Sequence, residues 1–138
     1  MKDIPEAFLF LKNSGKPLWE FEQEKQYDLF IVLDCSSEDR LGDALKYFKS
    51  AKHTLCFDHH ISNSGHFTDG LVLHADYSST CEVLFTCMQE EKISLAAAEA
   101  LYLGIVHDTG VFKHSNTSEQ TMRIAWRLHG MGVQSTRV

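Results

Sequence analysis

The stretch "YDLFIVLD", residues 27–34, contains an unbroken apolar run from Leu29 to Leu33 and ends in a carboxylate at Asp34. An apolar run of this length is typical of a strand in a parallel sheet that is covered on both faces. A second apolar run, "TLCF" at residues 54–57, is followed directly by "DHH" at residues 58–60. The two runs predict two buried strands, each with polar side chains at its carboxyl end.

The segment between these runs predicts how the strands are arranged. Residues 39–50 carry Leu41, Ala44, Leu45 and Phe48 at helical spacing, which predicts a helix that crosses back over the sheet. A strand, a crossover helix and a second strand form a unit whose strands are parallel. We therefore expect an α/β fold with a parallel sheet and helices on both faces, extended by a further strand at "GLVLHA".

Helix-start signals follow in the second half of the chain. Ser79 and Glu82 have capping-box spacing ahead of an amphipathic helix, and Ser94 can cap an alanine-rich helix. Thr117 and Gln120 repeat the capping-box spacing before the last predicted helix. Another helix is predicted near the N-terminus, from Asp3 to the "NSGKP" segment.

Composition limits the classes of function. A chain of 138 residues, 43% of them hydrophobic, predicts one globular domain, and a net charge of −6 argues against a basic face that tracks duplex nucleic acid. The N-terminus lacks the apolar run of a signal peptide, and no apolar run has the length of about 20 residues that a bilayer span needs. The four cysteines include no CxxC pair. These features predict a cytoplasmic protein with reduced thiols and no membrane contact.

Three segments carry side chains that suit a metal site. In open α/β sheets the functional crevice lies beyond the carboxyl ends of the strands, where Asp34 and residues 58–60 are predicted to meet. "GIVHDTGVF" places Asp108 where the alanine-rich helix ends. Carboxylate oxygen and imidazole nitrogen suit ions such as Mn²⁺, and two-metal sites hydrolyse phosphoryl groups.

Each of these features also has a simpler interpretation. Asp34 could cap the turn that follows its strand, the two histidines could be solvated, and residues 108–110 could form a turn that needs glycine. Lys113 and His114 could supply cationic contacts to a phosphate, or could lie in a solvated loop.

Four motifs together resemble the DHH phosphoesterase superfamily. They are "DLFIVLD", "DHH" followed by "ISN", "YSSTCE", and "GIVHDTGVFKHSNTSEQT". The likeness is greatest to the bifunctional oligoribonuclease and adenosine 3′,5′-bisphosphate phosphatase group, which includes exopolyphosphatase-related proteins. It covers nearly the whole chain.

The resemblance implies a role for each matching residue. Asp34 and Asp108 match aspartates that bridge two Mn²⁺ ions, and His59 matches a metal-binding histidine. His60 matches a catalytic histidine that faces the substrate phosphate. Asp58 would orient the imidazoles from the second coordination shell. Lys113 and His114, which follow Asp108 in the sequence, are predicted from their charge and position to contact the substrate.

The resemblance is incomplete at both ends. The family's first motif, H-x-x-x-D-x-D, has no match in residues 1–33, and its glycine-rich C-terminal domain is absent from the sequence. We therefore expect residues 1–138 to be a partial DHH domain that holds at most one weakly bound Mn²⁺, where the complete enzyme holds two. We also expect its catalytic competence to depend on the first motif, and an uncovered sheet edge or face to favour a homo-oligomer.

These observations predict a manganese-dependent phosphoesterase that hydrolyses short oligoribonucleotides or nucleotide bisphosphates with metal-activated water. Two alternatives remain open. One is hydrolysis of phosphoanhydrides, as in exopolyphosphatases and manganese-type pyrophosphatases. The other is a non-catalytic module that binds nucleotide or metal.

Overall fold

Three parallel strands form the sheet in the described part of this protein. The computed structural model describes residues 26–137, so the helix predicted near Asp3 lies outside the described residues. The strands are β1 (Leu29–Leu33), β2 (His53–Asp58) and β3 (Gly70–Leu73), in the spatial order β1-β2-β3. The predicted α/β class and the further strand at "GLVLHA" are confirmed.

Four α-helices accompany the sheet between residues 26 and 137. Among residues 26–137, none of the helices is both long and apolar enough to cross a membrane. Three short 3₁₀ segments lie at Glu38–Ala44, Glu90–Lys92 and Ser135–Arg137. The helices are α1 (Leu45–Ser50), α2 (Thr80–Cys87), α3 (Leu95–Asp108) and α4 (Glu119–Gly130).

The register of β1 on β2 brings their carboxyl ends to one edge of the sheet. Leu33 lies opposite Phe57, and the backbone N–H of Asp34 donates to the carbonyl of Phe57 over 3.0 Å. The residues that follow the two strands therefore start from the same edge. This confirms the prediction that the two strands are adjacent and parallel and bring Asp34 and the "DHH" segment to one edge of the sheet.

The crossover connection differs from the single helix predicted over residues 39–50. A 3₁₀ segment, Glu38–Ala44, precedes the short helix α1. Gly42 separates the regular turns because its backbone, at φ 52° and ψ −132°, is far from helical values. Glycine adopts such a conformation without a Cβ clash, and side-chain periodicity does not reveal that it does so.

Strand β1 is buried on one face only within the described part of the chain. Val32 is 2% exposed, whereas Leu29, Ile31 and Leu33 on the opposite face are about half exposed, at 48%, 50% and 49%. The expectation that β1 is covered on both faces is therefore not met by residues 26–137. The predicted self-association through an uncovered edge or face stays a prediction.

The helix caps agree with the sequence signals in part. Ser94 caps α3 as predicted, by accepting from the backbone N–H of Ala97. Ser79 caps α2 by accepting from the N–H of Glu82, but the Glu82 side chain turns to Ser78 and does not complete a capping box. The box predicted at Thr117 and Gln120 is wrong by one residue. The residues that form it are Ser118 and Thr121.

Two groups of buried side chains make up the described core. One lies between α2, α3 and α4, and includes Val133 beyond α4. The other packs Val32, Cys35, Phe48 and Cys56 against one face of the sheet.

We expect Gly104→Ala to destabilise the contact between α2 and α3. A Cβ at Gly104 would lie 2.2 Å from Sγ of Cys81 and 3.1 Å from its Cβ. Overpacking of this kind costs about 1–3 kcal/mol, which is partly offset by about 1 kcal/mol of improved helix propensity. Urea unfolding should therefore show a net loss of about 1 kcal/mol, the middle of a range from about 0 to 2 kcal/mol.

The Cys81→Ala background supplies the control for this substitution. Without Sγ the added methyl group has more room, so Gly104→Ala should cost less there than in the parent chain. An equal cost in both backgrounds would show that the sulfur contact does not limit the packing.

Candidate metal centre

Polar side chains from three segments meet at the carboxyl edge of the sheet. Asp34 follows β1, His59 and His60 follow β2, and Asp108 is the last residue of α3. One ligand-type atom from each of Asp34, His59 and His60 lies within 4.8 Å of the other two. The structure thus brings together residues that are up to 74 positions apart in the sequence (108 minus 34).

His59 stands between two carboxyl groups. Its Nε2 lies 3.6 Å from Oδ1 of Asp34 and 4.0 Å from Oδ2 of Asp108. Its Nδ1 lies 3.3 Å from the backbone carbonyl of Tyr77. A carbonyl can only accept, so this contact needs a proton on Nδ1, and Nε2 is the ring nitrogen that faces the carboxyl oxygens.

His60 is oriented by the buried side chain of Asp58. Oδ1 of Asp58 lies 2.7 Å from Nδ1 of His60 and accepts from the backbone N–H groups of His59 and His60 over 2.7 and 3.1 Å. Asp58 thus orients one imidazole directly and the other only through its backbone. The proton on Nδ1 leaves Nε2 of His60 available to a ligand.

The same hydrogen bonds decide the charge of Asp58. Burial by itself raises the pKa of this carboxyl group. Hydrogen bonds from His60, Asn63 and the two backbone N–H groups act in the opposite direction and outweigh burial, so the pKa lies below its ordinary value. Asp58 is therefore ionised at neutral pH and accepts a hydrogen bond from His60.

Asn63 is a positioning residue that sequence reasoning did not single out. Its side chain is buried, and its Nδ2 donates to Oδ2 of Asp58 over 2.7 Å. Its Oδ1 accepts from the backbone N–H of Gly65 over 2.9 Å, which fixes the orientation of the amide. Asn63 belongs to the "ISN" segment quoted above, but a sequence alone does not show that a loop asparagine is buried.

The turn after α3 is fixed by Thr109. This buried residue donates from Oγ1 to the carbonyl of Ile105 and accepts from the N–H of Phe112. Gly110, Val111 and Phe112 all have positive φ, at 54°, 59° and 61°. Positive φ costs energy in a β-branched residue such as Val111. The hydrogen bonds of Thr109 stabilise the turn that follows Asp108 in this conformation.

Lys113 and His114 are both exposed in the turn that follows α3. Nδ1 of His114 is 3.3 Å from the backbone carbonyl of Asp108. Asn116 donates to the carbonyls of both Asp108 and Ser78, which ties the turn to the start of α2. The substrate contacts predicted for Lys113 and His114 stay predictions.

Cys81 lies close to the cluster without being a candidate nucleophile. Burial, with smaller contributions from the carboxyl groups of Asp108 and Asp34, raises the pKa of its thiol to about 12. The thiol therefore stays protonated at neutral pH, and the thiolate is the reactive form of cysteine.

The donor set fits a divalent cation. Nε2 of His59 lies near one carboxyl oxygen of Asp34 and one of Asp108, and imidazole nitrogen and carboxylate oxygen both bind divalent cations. Ligand atoms about 2.1 Å from a six-coordinate ion lie roughly 3 Å apart when adjacent. The separations of Nε2 from the two oxygens are 3.6 and 4.0 Å, so each is within about 1 Å of this spacing. Among the described residues, the group whose ligand atoms all lie within 4.8 Å of one another includes His60 and not Asp108.

Comparison with known proteins identifies the family of this chain. Residues 2–105 match the sequence profile of the DHH family, N-terminal domain. The chain belongs to the DHH family, a family of phosphoesterases.

Curated relatives lie in the same family. The chain is 33% identical over 137 residues to the bifunctional oligoribonuclease and PAP phosphatase NrnA of Bacillus subtilis, covering 90% of this chain and 43% of that protein. It is 31% identical over 109 residues to a probable protein of the same name from Streptococcus mutans, covering 76% and 34%. The chain thus spans less than half the length of these relatives.

A solved structure shares the DHH fold described above. The crystal structure of an exopolyphosphatase-related protein from Bacteroides fragilis superposes with a TM-score of 0.71 at 24% identity. The match covers 79% of this chain and 33% of the other. At this identity the likeness bears on the fold alone.

Proposed function

We propose that this DHH domain is the metal-holding part of a manganese-dependent phosphoesterase that hydrolyses short oligoribonucleotides or nucleotide bisphosphates. One observation carries the proposal: Nε2 of His59 faces the carboxyl groups of Asp34 and Asp108, at 3.6 and 4.0 Å from their nearest oxygens. A divalent cation would satisfy all three. Mn²⁺ is a suitable ion because it accepts both oxygen and imidazole ligands.

Asp34, His59 and Asp108 would hold the ion in this proposal. When bound, a divalent cation lowers the pKa of water and stabilises charge that develops on a phosphoryl oxygen. His60 would contribute separately. Asp58 fixes its Nδ1, so that Nε2 can contact a phosphoryl oxygen or exchange a proton with a leaving group.

The number of ligand-type residues limits what this chain would do alone. Asp34, His59 and Asp108 offer fewer side chains than a site for two ions normally uses, even if His60 also binds. We therefore propose a single, weak Mn²⁺ site here. Turnover would increase in a version that also carries an H-x-x-x-D-x-D strand.

The substrate class is supported by the relatives. Both curated relatives quoted above are named for oligoribonuclease and PAP phosphatase activity. A net charge of −6 is consistent with a small phosphate-containing substrate held at one site, since a long duplex requires an extended basic surface.

The test compares hydrolysis by the purified chain, and by a version extended with an H-x-x-x-D-x-D strand and helix, with and without Mn²⁺. Substrates are a short oligoribonucleotide, adenosine 3′,5′-bisphosphate, pyrophosphate and polyphosphate. We expect manganese-dependent release of mononucleotide or phosphate from the first two, faster in the extended version.

Other results would contradict the proposal. Preferential hydrolysis of pyrophosphate or polyphosphate would indicate a phosphoanhydride hydrolase. Hydrolysis that persists unchanged in EDTA would exclude the metal site as its source. No Mn²⁺ binding and no turnover by either version would contradict the assignment as a whole.

A further inference from the structure

We propose that Thr80 is a positioning residue, whose hydroxyl group holds the Asp34 carboxyl group in the orientation that binds metal. This inference rests on the proposed function and adds a residue to its site. Thr80 lies in the "YSSTCE" segment, and its contact with Asp34 is visible only in the fold.

The contact joins two elements that are distant in sequence. Oγ1 of Thr80, in the first turn of α2, donates to Oδ1 of Asp34 over 2.8 Å, across 46 residues of sequence. Thr80 is 4% exposed, whereas the Asp34 side chain is 52% exposed. A fixed donor from the protein interior therefore meets a carboxyl group that solvent would otherwise leave free to rotate.

The hydroxyl group of Thr80 is not needed to cap its own helix. Ser79 provides the cap of α2 by accepting from the N–H of Glu82. Thr86, later in α2, makes the usual local bond to the carbonyl of Val83 over 2.8 Å. Thr80 instead directs its one hydroxyl proton out of the helix toward β1, so the bond serves Asp34.

The backbone of Asp34 is fixed, but a fixed backbone does not by itself orient the side chain. At φ 57° it occupies the left-handed region, which is uncommon for residues other than glycine. Its N–H bond to Phe57 fixes the backbone, but not the side-chain torsion. The Thr80 bond fixes that torsion.

The bond leaves the carboxyl group able to bind a cation. A carboxylate offers about four lone-pair sites on two oxygens, and Thr80 occupies one of them. The same Oδ1 lies 3.6 Å from Nε2 of His59. Thr80 thus reduces the rotational freedom that Asp34 would lose on binding metal. Hydrogen-bond partners that orient a metal ligand typically contribute about 10–100-fold to metal affinity.

The test measures Mn²⁺ affinity of the whole chain by electron paramagnetic resonance of the free ion. Thr80→Val keeps the size of the side chain and removes the hydroxyl group, so its dissociation constant should increase about 10–100-fold. Thr80→Ser keeps the hydroxyl group and should bind within a few-fold of the parent chain. Thr86→Val makes the same chemical change in the same helix, away from Asp34, and should leave the affinity unchanged.

A second readout needs no metal. NMR couplings that report χ1 of Asp34 should show one rotamer in the parent chain and in Thr80→Ser, and rotamer averaging in Thr80→Val. The thermal midpoints of Thr80→Val and Thr86→Val show whether both variants are folded. This separates positioning of Asp34 from a general loss of structure.

The outcomes distinguish this inference from the function on which it rests. Equal Mn²⁺ affinity in the parent chain and in folded Thr80→Val overturns the role of Thr80 and leaves the proposed function standing. Weak binding by Thr80→Ser, comparable with Thr80→Val, also overturns it, because the hydroxyl group is then not the cause. A parent chain that binds no Mn²⁺ overturns the proposed function and this inference together.

Discussion

Replacing Asp108 by asparagine is expected to lower manganese-dependent phosphoester hydrolysis roughly a thousandfold, which corresponds to about 4 kcal/mol of transition-state stabilisation. The substitution keeps the size of the side chain and removes its negative charge. Asp108 ends α3 with Oδ2 4.0 Å from Nε2 of His59, so in the proposed site it would contact the same cation as Asp34. Loss of that charge should weaken metal binding, and with it the charge stabilisation that metal ions supply.

The measurement is the initial rate on a short oligoribonucleotide at saturating Mn²⁺, in the version of the chain that shows measurable turnover. Asp43→Asn is the matched control. It makes the same chemical change at an exposed residue of the 3₁₀ segment between β1 and α1, and should leave the rate unchanged. A rate for Asp108→Asn within a few-fold of the parent would show that Asp108 does not serve the reaction.

The second large effect is expected at Glu82, whose side chain stabilises the folded state. Its carboxyl group is fully buried, and Oε2 accepts three hydrogen bonds. They come from the backbone N–H of Ser78 over 3.0 Å, from the hydroxyl group of Ser78 over 2.6 Å and from the hydroxyl group of Thr121 over 3.0 Å. Glu82 thus joins the start of α2 to the capping box of α4.

Glu82→Ala should lower the free energy of unfolding by about 3–5 kcal/mol. Each buried donor left without a partner costs about 1–3 kcal/mol, and rehydration through the vacated space recovers part of that cost. Because a domain is stabilised by only about 5–15 kcal/mol in total, the loss should be obvious in urea unfolding at 25 °C.

Two further variants separate the loss of these hydrogen bonds from the loss of a carboxyl group in general. Glu82→Gln keeps the shape and an acceptor oxygen, so it should cost less than half as much as Glu82→Ala. Glu91→Ala removes an exposed carboxyl group and should change stability by no more than about 0.5 kcal/mol. A loss below about 1 kcal/mol for Glu82→Ala would mean that the three hydrogen bonds contribute little net stability.

The sequence by itself determined the elements and the residues that end them. Apolar runs located β1 and β2, and a serine before an alanine-rich segment located the start of α3. The parallel pairing followed from the length of the connection, which placed Asp34 beside the "DHH" segment. These features depend on neighbouring residues or on general rules of sheet topology, so they can be predicted from one chain.

Local sequence signals predicted helix boundaries less reliably where the sequence is compatible with more than one boundary. The capping box of α4 uses Ser118 and Thr121, although Thr117 and Gln120 have the same spacing. Gly42 interrupts the crossover helix because it adopts a positive φ, which the apolar periodicity does not report. In both cases several local choices were compatible with the sequence, and packing selected one.

Only the tertiary structure decided which side chains support the site. Thr80 meets Asp34 across 46 residues, Glu82 meets Thr121 across 39, and Asn63 is buried against Asp58 in a segment with no regular structure. Such contacts depend on the distance and orientation of whole elements, which the pattern of any one segment does not encode. The sequence could therefore identify the groups that would bind metal, but not the residues that orient them, because orientation arises only when the elements pack.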